Sequence, residues 1–246
     1  MLKIENTEVL GWEHAIRGMR NPMNSWDKSD SGHCQLDLLR DCSTCIHRGT
    51  DYPSCKSHFD VGPNDFDLML RLRNAGTDHR KFMRMITVYL DITAPLYWWK
   101  EMDTYYVGKV QNSCSTMHKI AEKEFTLEDF STEHLINDPF LAFSLYDTAG
   151  NYTGHDMSSK DIIQFLCNVM NYYRKKFLET KNKLYWWQMI QLLPTSYNQR
   201  RTVMLNYEVL ANIYKSRRNH KLDEWHTLCD WIEGLPYSEL ITGKTD

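Results

Sequence analysis

The fold is decided by one stretch of the chain, residues 79–118, which reads HRKFMRMITVYLDITAPLYWWKEMDTYYVGKVQNSCSTMH. Near its centre, apolar and polar side chains alternate with the period of two that is typical of a half-buried strand. The apolar set is Ile86, Val88, Leu90 and Ile92, and the other set is Thr87, Tyr89 and Asp91. Pro95 then has the fixed φ that suits a first helical position. The stretch predicts, in order, a helix end, a strand, a helix starting at Pro95, a polar loop and the start of a second helix.

Beyond this stretch the pattern is mostly helical. Ser158 and Asp161 have the spacing of a capping box, in front of an apolar series that predicts an amphipathic helix continuing, with a break, toward Leu193. The series is Ile162, Phe165, Leu166, Val169, Met170 and Tyr173. Two further helices are predicted over residues 204–214 and 222–232. No repeat, low-complexity segment or clear linker divides the chain.

The motifs of residues 79–118 resemble those of the flavin-dependent thymidylate synthases. That family carries Gly-His, then Glu-His, a strand, Ala-Pro in some members, Arg-Gln, Arg-His-Arg and Ser-x-Asn-Glu-x-Ser-x-Arg-Tyr. Aligned without gaps, the positions up to Arg-Gln are held here by His79, Arg84, Met85, Ala94, Pro95, Lys100 and Glu101. After one inserted residue, the last motif is met by Asn112 and Ser115, with Met117 and His118 in place of Arg-Tyr. Residues from 104–107 replace Arg-His-Arg, and none of them is basic.

The resemblance extends over nearly the whole chain outside residues 30–60. The segment VLGWEHAIRGMRNPMNSWDKS resembles the family's opening strand and helix. In the C-terminal third, Ile190 and Glu208 stand where the family has arginines. The positions that keep a family residue, or stand at the family's final His, are Asn206, Asn212, Arg217 and Lys221.

The resemblance implies an α+β fold of the thymidylate-synthase-complementing (ThyX-like) type, with a central antiparallel sheet, flanking helices and a mostly helical C-terminal half. It implies one domain over residues 1–246, with an insertion at about 30–60. It also implies a homo-oligomer, because the family builds its sites between the subunits of a homotetramer.

The candidate nucleotide- or cofactor-binding residues follow from the same matches. They are His79, Lys100, Asn112, Ser115, Asn212, Arg217 and Lys221. A basic cluster at one helix end and nearby aromatic faces suit a phosphorylated ligand with a stacked base; these residues are Lys215, Arg217, Arg218, Lys221, Trp98, Trp99, Tyr105 and Tyr106. The competing interpretation is that the cations complement the helix dipole and that the aromatic residues belong to the core.

Three hypotheses for function remain open. The first is a binding protein that senses, stores or sequesters a nucleotide or nucleotide-derived signal, because Met, Ile or Glu cannot replace the bidentate arginine forks that hold phosphates in the family. The second is a divergent enzyme that uses FAD and folate to methylate or hydroxymethylate a pyrimidine nucleotide, with Lys100 or Lys109 compensating for lost arginines. The third is a purely structural or interaction protein.

No catalytic residue is assigned. Cys114, beside Ser113 and Ser115, is a candidate nucleophile if His118 or His79 activates it.

Composition limits the partners and the compartment. The net charge of -3 gives no reason to expect general nucleic-acid binding, and the positive faces are predicted to be solvated surface; they contain Arg174, Lys175, Lys176, Lys181, Lys183, Arg200 and Arg201. No apolar run is long enough for a membrane span or a signal peptide. The odd number of seven cysteines argues against a disulfide scaffold, so the sequence favours the cytoplasm.

The insertion carries the pattern of a metal site. Cys42-x2-Cys45-x9-Cys55-x2-His58 supplies three thiolates and an imidazole in closely spaced pairs, which predicts a structural zinc ion. His33, Cys34 and His47 are alternative ligands. An iron–sulfur cluster, or buried cysteines without a metal, are the other interpretations.

Overall fold

The computed structural model describes residues 1–33, 59–139, 141–142, 148–151 and 156–243 of the chain. The strands are β1 Lys3–Leu10, β2 Gly32–His33, β3 Phe59–Asp60, β4 Thr87–Pro95, β5 Val110–Ser113, β6 Leu141–Ala142, β7 Asp156–Met157 and β8 Asn198–Asn206. The α-helices are α1 Trp12–Arg20, α2 Pro63–Asn74, α3 Leu96–Met102, α4 Ser159–Thr180, α5 Lys183–Leu192, α6 Tyr207–Arg217, α7 Asp223–Glu233 and α8 Glu239–Thr242. Short 3-10 helices include Lys81–Arg84 and Leu127–Asp129.

Four of the strands form an antiparallel sheet in the order β1-β4-β8-β5. The Asp91 carboxylate on β4 links its two neighbours, because it accepts hydrogen bonds from Asn6 of β1 at 2.8 Å and from Thr202 of β8 at 2.5 Å. The predicted alternation in β4 is confirmed: its apolar residues Val88, Leu90 and Ile92 are buried. Pro95 is the last strand residue and caps α3, so this helix starts one residue later than predicted.

Two strands of the four-stranded sheet were not anticipated from the sequence. β8 continues to Asn206, so the predicted helix over 204–214 was wrong at its start and α6 begins at Tyr207. β5 follows the polar loop, and turns rather than a helix follow β5 up to residue 120. The mostly helical C-terminal half is confirmed by α4 to α8.

The chain divides into two compact units. The first unit comprises Met1–Ile4, Ile92–Thr104 and Asn112–Arg201, and the second comprises Glu5–Asp91, Tyr105–Gln111 and Thr202–Asp246. The core of the first unit lies under α4 and α5 and contains Ile120, Ala121, Phe125, Phe130, Cys167, Met170 and Met189. Apolar residues of the predicted amphipathic series, among them Leu166 and Met170, face this core.

Local signals set the ends of α4 and α5. The predicted capping box is present, since the Asp161 carboxylate accepts from the Ser158 N–H at 2.9 Å and the Ser158 hydroxyl accepts from the Asp161 N–H at 3.3 Å. The α4 helix ends where Lys181 adopts a left-handed φ of 56°. Asn182 then caps α5 by accepting from the Leu184 N–H at 3.0 Å. These signals place the break between the two helices where the sequence predicts one.

The second unit is organised around α6, whose residues are largely buried. This helix packs against α7, α8 and the 3-10 helix Lys81–Arg84. Its first residue, Tyr207, donates its N–H to the Ile86 carbonyl at 3.1 Å and its hydroxyl to the Pro236 carbonyl at 2.6 Å. Burial raises the pKa of the Tyr207 hydroxyl well above its ordinary value, so Tyr207 serves as a neutral anchor in the core.

A buried polar network closes the base of the insertion. The Arg20 Nε donates to Asp65 Oδ1 at 2.6 Å, and the hydroxyls of Ser29 and Ser31 both donate to Asp65 Oδ2 at 2.6 Å. Asp30 caps α2, because its carboxylate accepts the N–H of Asp65 at 3.0 Å and that of the preceding residue at 2.8 Å. The chain segments that enter and leave residues 34–58 also pair directly, through β2 and β3.

None of the helices in the described ranges is long and apolar enough to cross a membrane. The organisation as one domain with an insertion stays a prediction, because most of the insertion lies outside the described residues.

Candidate functional site

Arg217, the last residue of α6, lies against two aromatic rings, those of Tyr105 and Trp225, which also contact each other with their centres 6.1 Å apart. Its guanidinium carbon lies 4.7 Å from the centre of the Trp225 ring on α7 and 5.6 Å from that of Tyr105. Its Nε donates a hydrogen bond to the Tyr105 hydroxyl at 3.0 Å. Trp225 is fully buried and Arg217 is half-buried. The cation–π contacts and the hydrogen bond together restrict the position of the guanidinium.

The loop that supplies Tyr105 lies along α6. At its other end, Gly108 has a φ of +76°, and a Cβ there would lie 3.1 Å from the Asn206 Nδ2 and from the Val209 Cγ2 at the start of the helix. Asn206 itself caps α6 by accepting the Val209 N–H at 3.0 Å. The loop therefore contacts the end of α6 through Tyr105 and passes close to the beginning of α6 at Gly108. We call residues 105–108, together with Arg217 and Trp225, the Arg217 site.

Charges around α6 are largely paired. Glu208 is 7% exposed, and its carboxylate lies 2.9 Å from the Arg80 Nε. Arg218 lies 2.7 Å from Asp230 and 3.4 Å from Glu233. The Asp230 hydrogen bond, outweighing partial burial, raises the pKa of Arg218 further above its usual value. Of the predicted basic cluster, Arg218 thus pairs with carboxylates of α7, and Arg217 contacts the Trp225 ring of the same helix.

The other predicted residues of the second unit are exposed. Asn212 lies on α6, and Lys221 lies just before α7. His79 donates its N–H to the Gly76 carbonyl at 3.1 Å and directly precedes Arg80, the partner of Glu208. Asn212 and Arg217 both lie on α6, but they are five residues apart and therefore do not share one face of the helix. Trp225 was not among the predicted site residues, because nothing in the sequence connects a tryptophan of α7 with an arginine at the end of α6.

The first unit holds the remaining predicted residues. Lys100 is exposed on α3, and Asn112 is exposed on β5. Ser115 lies in a turn, where its hydroxyl accepts the His118 N–H at 2.9 Å. Cys114 is exposed, but its backbone is fixed by Arg200 and Gln199. Within the described residues no hydrogen bond joins the His118 ring to Cys114, so the structure adds no support for a nucleophile there.

The sequence interpretation of Trp98 and Trp99 as stacking faces was wrong. Both side chains are at most 1% exposed and belong to the core. Trp99 donates its Nε1 to the Gln199 carbonyl at 2.9 Å, and the guanidinium carbon of Arg201 lies 4.2 Å from its ring centre. Arg201 also donates to Gln199 and to Asp103, at 2.9 and 2.8 Å. Arg201 is therefore a packing residue and not part of a solvated positive face.

The prediction of a solvated positive face was also wrong for Arg174 on α4. Its Nε donates to the Ala121 carbonyl at 2.9 Å and its Nη2 to the Glu122 carbonyl at 3.1 Å. The side chain is 16% exposed. It thus ties α4 to the loop before Phe125 instead of facing solvent.

The predicted zinc ligands Cys42, Cys45, Cys55 and His58 lie outside the described residues, as do Cys34 and His47. In the parts of the chain that the structure does describe, no cluster of His, Cys, Asp and Glu has the arrangement of a metal site. His33, another alternative ligand, lies with its Nε2 3.8 Å from the Glu13 carboxylate. The zinc hypothesis stays a prediction.

Comparison with solved structures identifies the fold. The ThyX flavin-dependent thymidylate synthase of Helicobacter pylori, crystallised with FAD and dUMP, superposes with a TM-score of 0.61 over 98% of this chain and 97% of the other, at 13% identity. The chain has the fold of the flavin-dependent thymidylate synthases. The UMP/dUMP methylase PolB of Streptomyces cacaoi, bound to 5-Br dUMP, superposes with a TM-score of 0.50 over 99% of this chain and 95% of PolB, at 14% identity.

The sequence comparisons add nothing to this, since no family model and no curated protein matches the chain. The ThyX-like fold predicted from the motifs is confirmed by the structural match. The coverage of nearly the full length of both chains agrees with a resemblance that runs from the first strand to the last helices.

Proposed function

We propose that this protein binds a nucleotide or nucleotide-derived small molecule at the Arg217 site and does not carry out ordinary thymidylate synthesis. The observation that carries the proposal is the Arg217 guanidinium, which lies 4.7 Å from the centre of the Trp225 ring and is hydrogen-bonded to Tyr105 at 3.0 Å. A planar cation held in this way is ordered before a ligand arrives, so less conformational entropy is lost on binding.

Two relatives by fold support the ligand class. The Helicobacter pylori ThyX was crystallised with dUMP and FAD, and PolB with 5-Br dUMP. Arg217 and Asn212 stand at positions where the sequence motifs of the ThyX family have an arginine and an asparagine. A pyrimidine nucleotide is therefore the first class of ligand to test.

The side chains at two other motif positions argue against the family's reaction and against its flavin. Ile190 packs against the apolar core of the first unit. Glu208 is buried and paired with Arg80 at 2.9 Å. A hydrocarbon and a carboxylate cannot donate hydrogen bonds to phosphate oxygens. The residues at these positions do not fit the phosphates of FAD.

The second candidate function is a divergent flavin-dependent methylase of pyrimidine nucleotides. It is favoured by the match to PolB, a methylase with the same fold. In this alternative, Lys100 or Lys109 would replace the missing arginines at the phosphates. Lys109 donates its Nζ to Gln111 Oε1 at 3.0 Å, so it would have to exchange this partner for the ligand.

The full proposed set of binding residues comprises His79, Lys100, Asn112, Ser115, Asn212, Arg217 and Lys221. The proposal includes a cytoplasmic homo-oligomer, with a tetramer as the form expected from the resemblance. Size-exclusion chromatography with light scattering measures the subunit number directly, and a monomeric mass would remove the oligomer from the proposal.

The test of function begins with small molecules released when protein purified from cells is denatured, identified by mass spectrometry. A nucleotide without flavin supports the binding protein, whereas flavin supports the divergent methylase. Calorimetric titration with dUMP, dTMP, dCMP, dAMP and dGMP follows. If nothing is released and every mononucleotide has a Kd above about 1 mM, the proposed function is wrong.

A further inference from the structure

The turn between α4 and α5 differs in charge from the rest of the chain. Residues 172–187, which read YYRKKFLETKNKLYWW, contain five basic side chains and one acidic side chain, a net charge of +4. The whole chain has a net charge of -3, so the remaining residues sum to -7. Six of these 16 residues are also aromatic. Cations and aromatic rings are therefore concentrated where α4 ends and α5 begins. We call residues 178–187 the hairpin end.

The hairpin end is open to solvent, since every residue from Leu178 to Leu184 is exposed. Leu184 is 66% exposed, the highest value among the large hydrophobic side chains of α4 and α5. The backbone around it is ordered. The Lys181 N–H donates to the Phe177 carbonyl at 2.8 Å, and the Asn182 side chain accepts the Leu184 N–H at 3.0 Å. An aliphatic side chain is thus exposed on a turn of fixed conformation.

Lys183, Leu184 and Trp187 lie on one side of α5. The Lys183 ammonium lies 5.7 Å from the centre of the Trp187 ring and 5.8 Å from that of Trp186. Leu184 and Trp187 are three residues apart, and residues with that spacing are neighbours on a helix surface. Trp187 is 40% exposed, whereas Trp186 is partly buried and donates its Nε1 to the Met117 carbonyl at 2.9 Å. This side of α5 presents an aliphatic group, an indole ring and a cation together.

The cations of the hairpin end are lysines that make no ion pair. Within the described ranges no carboxylate pairs with Lys181 or Lys183, whose ammonium groups lie against rings instead; that of Lys181 is 5.9 Å from the centre of the Phe177 ring. The arginine of this segment, Arg174, donates to the Ala121 carbonyl and is not part of the exposed surface. The exposed cations are therefore point charges, without the planar fork with which arginine binds a phosphate bidentately.

The apolar side chains favour a lipid surface over a nucleic acid as the partner. Leu178 and Leu184 have no π-face on which a base could stack. Leucine and tryptophan beside lysines are typical of segments that lie in a membrane interface, where apolar side chains enter the headgroup region and lysines contact anionic lipids. The positive hairpin end of a chain that is otherwise negative is complementary in charge to such a surface. This contact needs no helix that spans the membrane.

We infer that the hairpin end binds peripherally to bilayers that contain anionic lipids. Leu184 and Trp187 enter the boundary between headgroups and acyl chains, and Lys181 and Lys183 contact the lipid phosphates. The inference does not depend on the proposed function, because none of these four residues belongs to the proposed nucleotide-binding set.

The test is cosedimentation of the full chain with vesicles of phosphatidylcholine that contain about 30 mol % phosphatidylglycerol. The bound fraction is expected to rise with lipid concentration at about 50 mM NaCl and to fall when NaCl is raised to about 500 mM, because salt screens the lysines. Vesicles of phosphatidylcholine alone are expected to bind at least about tenfold more weakly, since each lysine near an anionic surface contributes about fivefold.

Two variants with matched controls locate the contact. Leu184→Ser is expected to lower the partition coefficient about tenfold or more, whereas Ile136→Ser, which removes a side chain that is 60% exposed outside α4 and α5, leaves it unchanged. Lys183→Gln is expected to lower the partition coefficient about fivefold. Lys215→Gln removes an exposed lysine of α6 and is expected to have no effect. Circular dichroism checks that all four variants are folded.

Three results overturn the inference, and each leaves the nucleotide titrations of the proposed function unaffected. The first is equal binding to both kinds of vesicle, or to neither. The second is unchanged vesicle binding in Leu184→Ser together with a lower subunit number by light scattering, which assigns the hairpin end to contact with a second copy of the chain. The third is a labelled single-stranded oligonucleotide that binds, and loses affinity in Lys183→Gln, while anionic vesicles do not bind.

Discussion

The guanidinium of Arg217 lies 4.7 Å above the ring of Trp225, a side chain that is otherwise completely buried. The arginine thus packs against a core tryptophan and also supplies the cation of the proposed site. Arg217→Ala is expected to weaken binding of dUMP, or of whichever mononucleotide binds, by about 1.5–3 kcal/mol, the scale of a hydrogen bond with one charged partner. The chain is expected to stay folded.

Two further variants separate binding from packing. Arg217→Lys keeps the charge but loses the planar fork, so it should recover little of the affinity. Arg218→Ala removes the neighbouring cation, which is paired with Asp230, and should leave the Kd unchanged. Calorimetry gives the Kd values, and circular dichroism checks the fold. An unchanged Kd in Arg217→Ala removes this residue from the site.

Asp65→Asn is expected to destabilise the protein by about 3–5 kcal/mol, because it leaves the guanidinium of Arg20 buried without its counter-charge. Arg20 is 4% exposed and Asp65 is fully buried. The matched control is Asp67→Asn on the same helix, whose ion pair with Arg71 is exposed and should contribute less than about 1 kcal/mol. Urea unfolding measures both. Equal effects of the two substitutions would contradict the role given to the buried network.

The same carboxylate makes stability depend on pH. Burial acts to raise the pKa of Asp65, but the hydrogen bonds from Ser29, Ser31 and Arg20 outweigh it, so the pKa is lowered. The stabilisation is complete above the ordinary aspartate pKa of about 3.9 and is lost as the pH falls below it toward the lowered folded value. The difference in unfolding free energy between wild type and Asp65→Asn should therefore shrink between about pH 5 and pH 2. A constant difference would assign the acid sensitivity to other groups.

Gly11→Ala tests the junction of β1 and α1. Gly11 has a φ of +96°, and an added Cβ would lie 2.1 Å from the Met85 carbonyl oxygen. The substitution combines a left-handed conformation with a steric clash, so a loss of about 2–5 kcal/mol is expected. Gly76→Ala is the control, since its φ is +110° but nothing lies within 4 Å of the added Cβ. Thermal and urea unfolding should show a clearly smaller loss for Gly76→Ala.

Zinc in the insertion is tested by elemental analysis of protein purified without chelator. Stoichiometric zinc is expected, and Cys42→Ser should lose it because a hydroxyl is a poor replacement for a thiolate ligand. Cys114→Ser is the control, since Cys114 is an exposed cysteine outside the insertion. Iron with visible absorbance would instead indicate a cluster, and the absence of both metals would end the metal hypothesis.

The sequence predicted β4 well and β8 not at all, and the difference lies in their inward faces. In β4 the buried positions are uniformly apolar, so the alternation is readable. In β8 the row of Gln199, Arg201, Val203 and Leu205 changes from polar to apolar, because Arg201 stacks on Trp99 and bonds Gln199. An arginine that is largely covered by packing on Trp99 and by its contact with Asp103 looks like a surface residue in the sequence.

The candidate site was predicted only in part, because one of its contacts also depends on residues that are distant in the sequence. The motif positions identified Arg217, and Tyr105 was among the predicted aromatic faces, but the contact with Trp225 depends on how α6 and α7 pack. Trp98 and Trp99 are aromatic, as the residues of a stacking surface are, but both are buried in the core. A pattern of aromatic residues does not distinguish a platform for a base from the interior, because both bury rings.

The pairing of Gly32–His33 with Phe59–Asp60 has a consequence for the history of this chain. Paired antiparallel residues lie about 5 Å apart, a gap that a two-residue turn can close. The 25 residues between them can therefore be gained, lost or exchanged in a lineage as a cassette, without moving Asp65 or changing the register of the main sheet. Descendants of one ancestor can differ in this segment while sharing everything it is attached to.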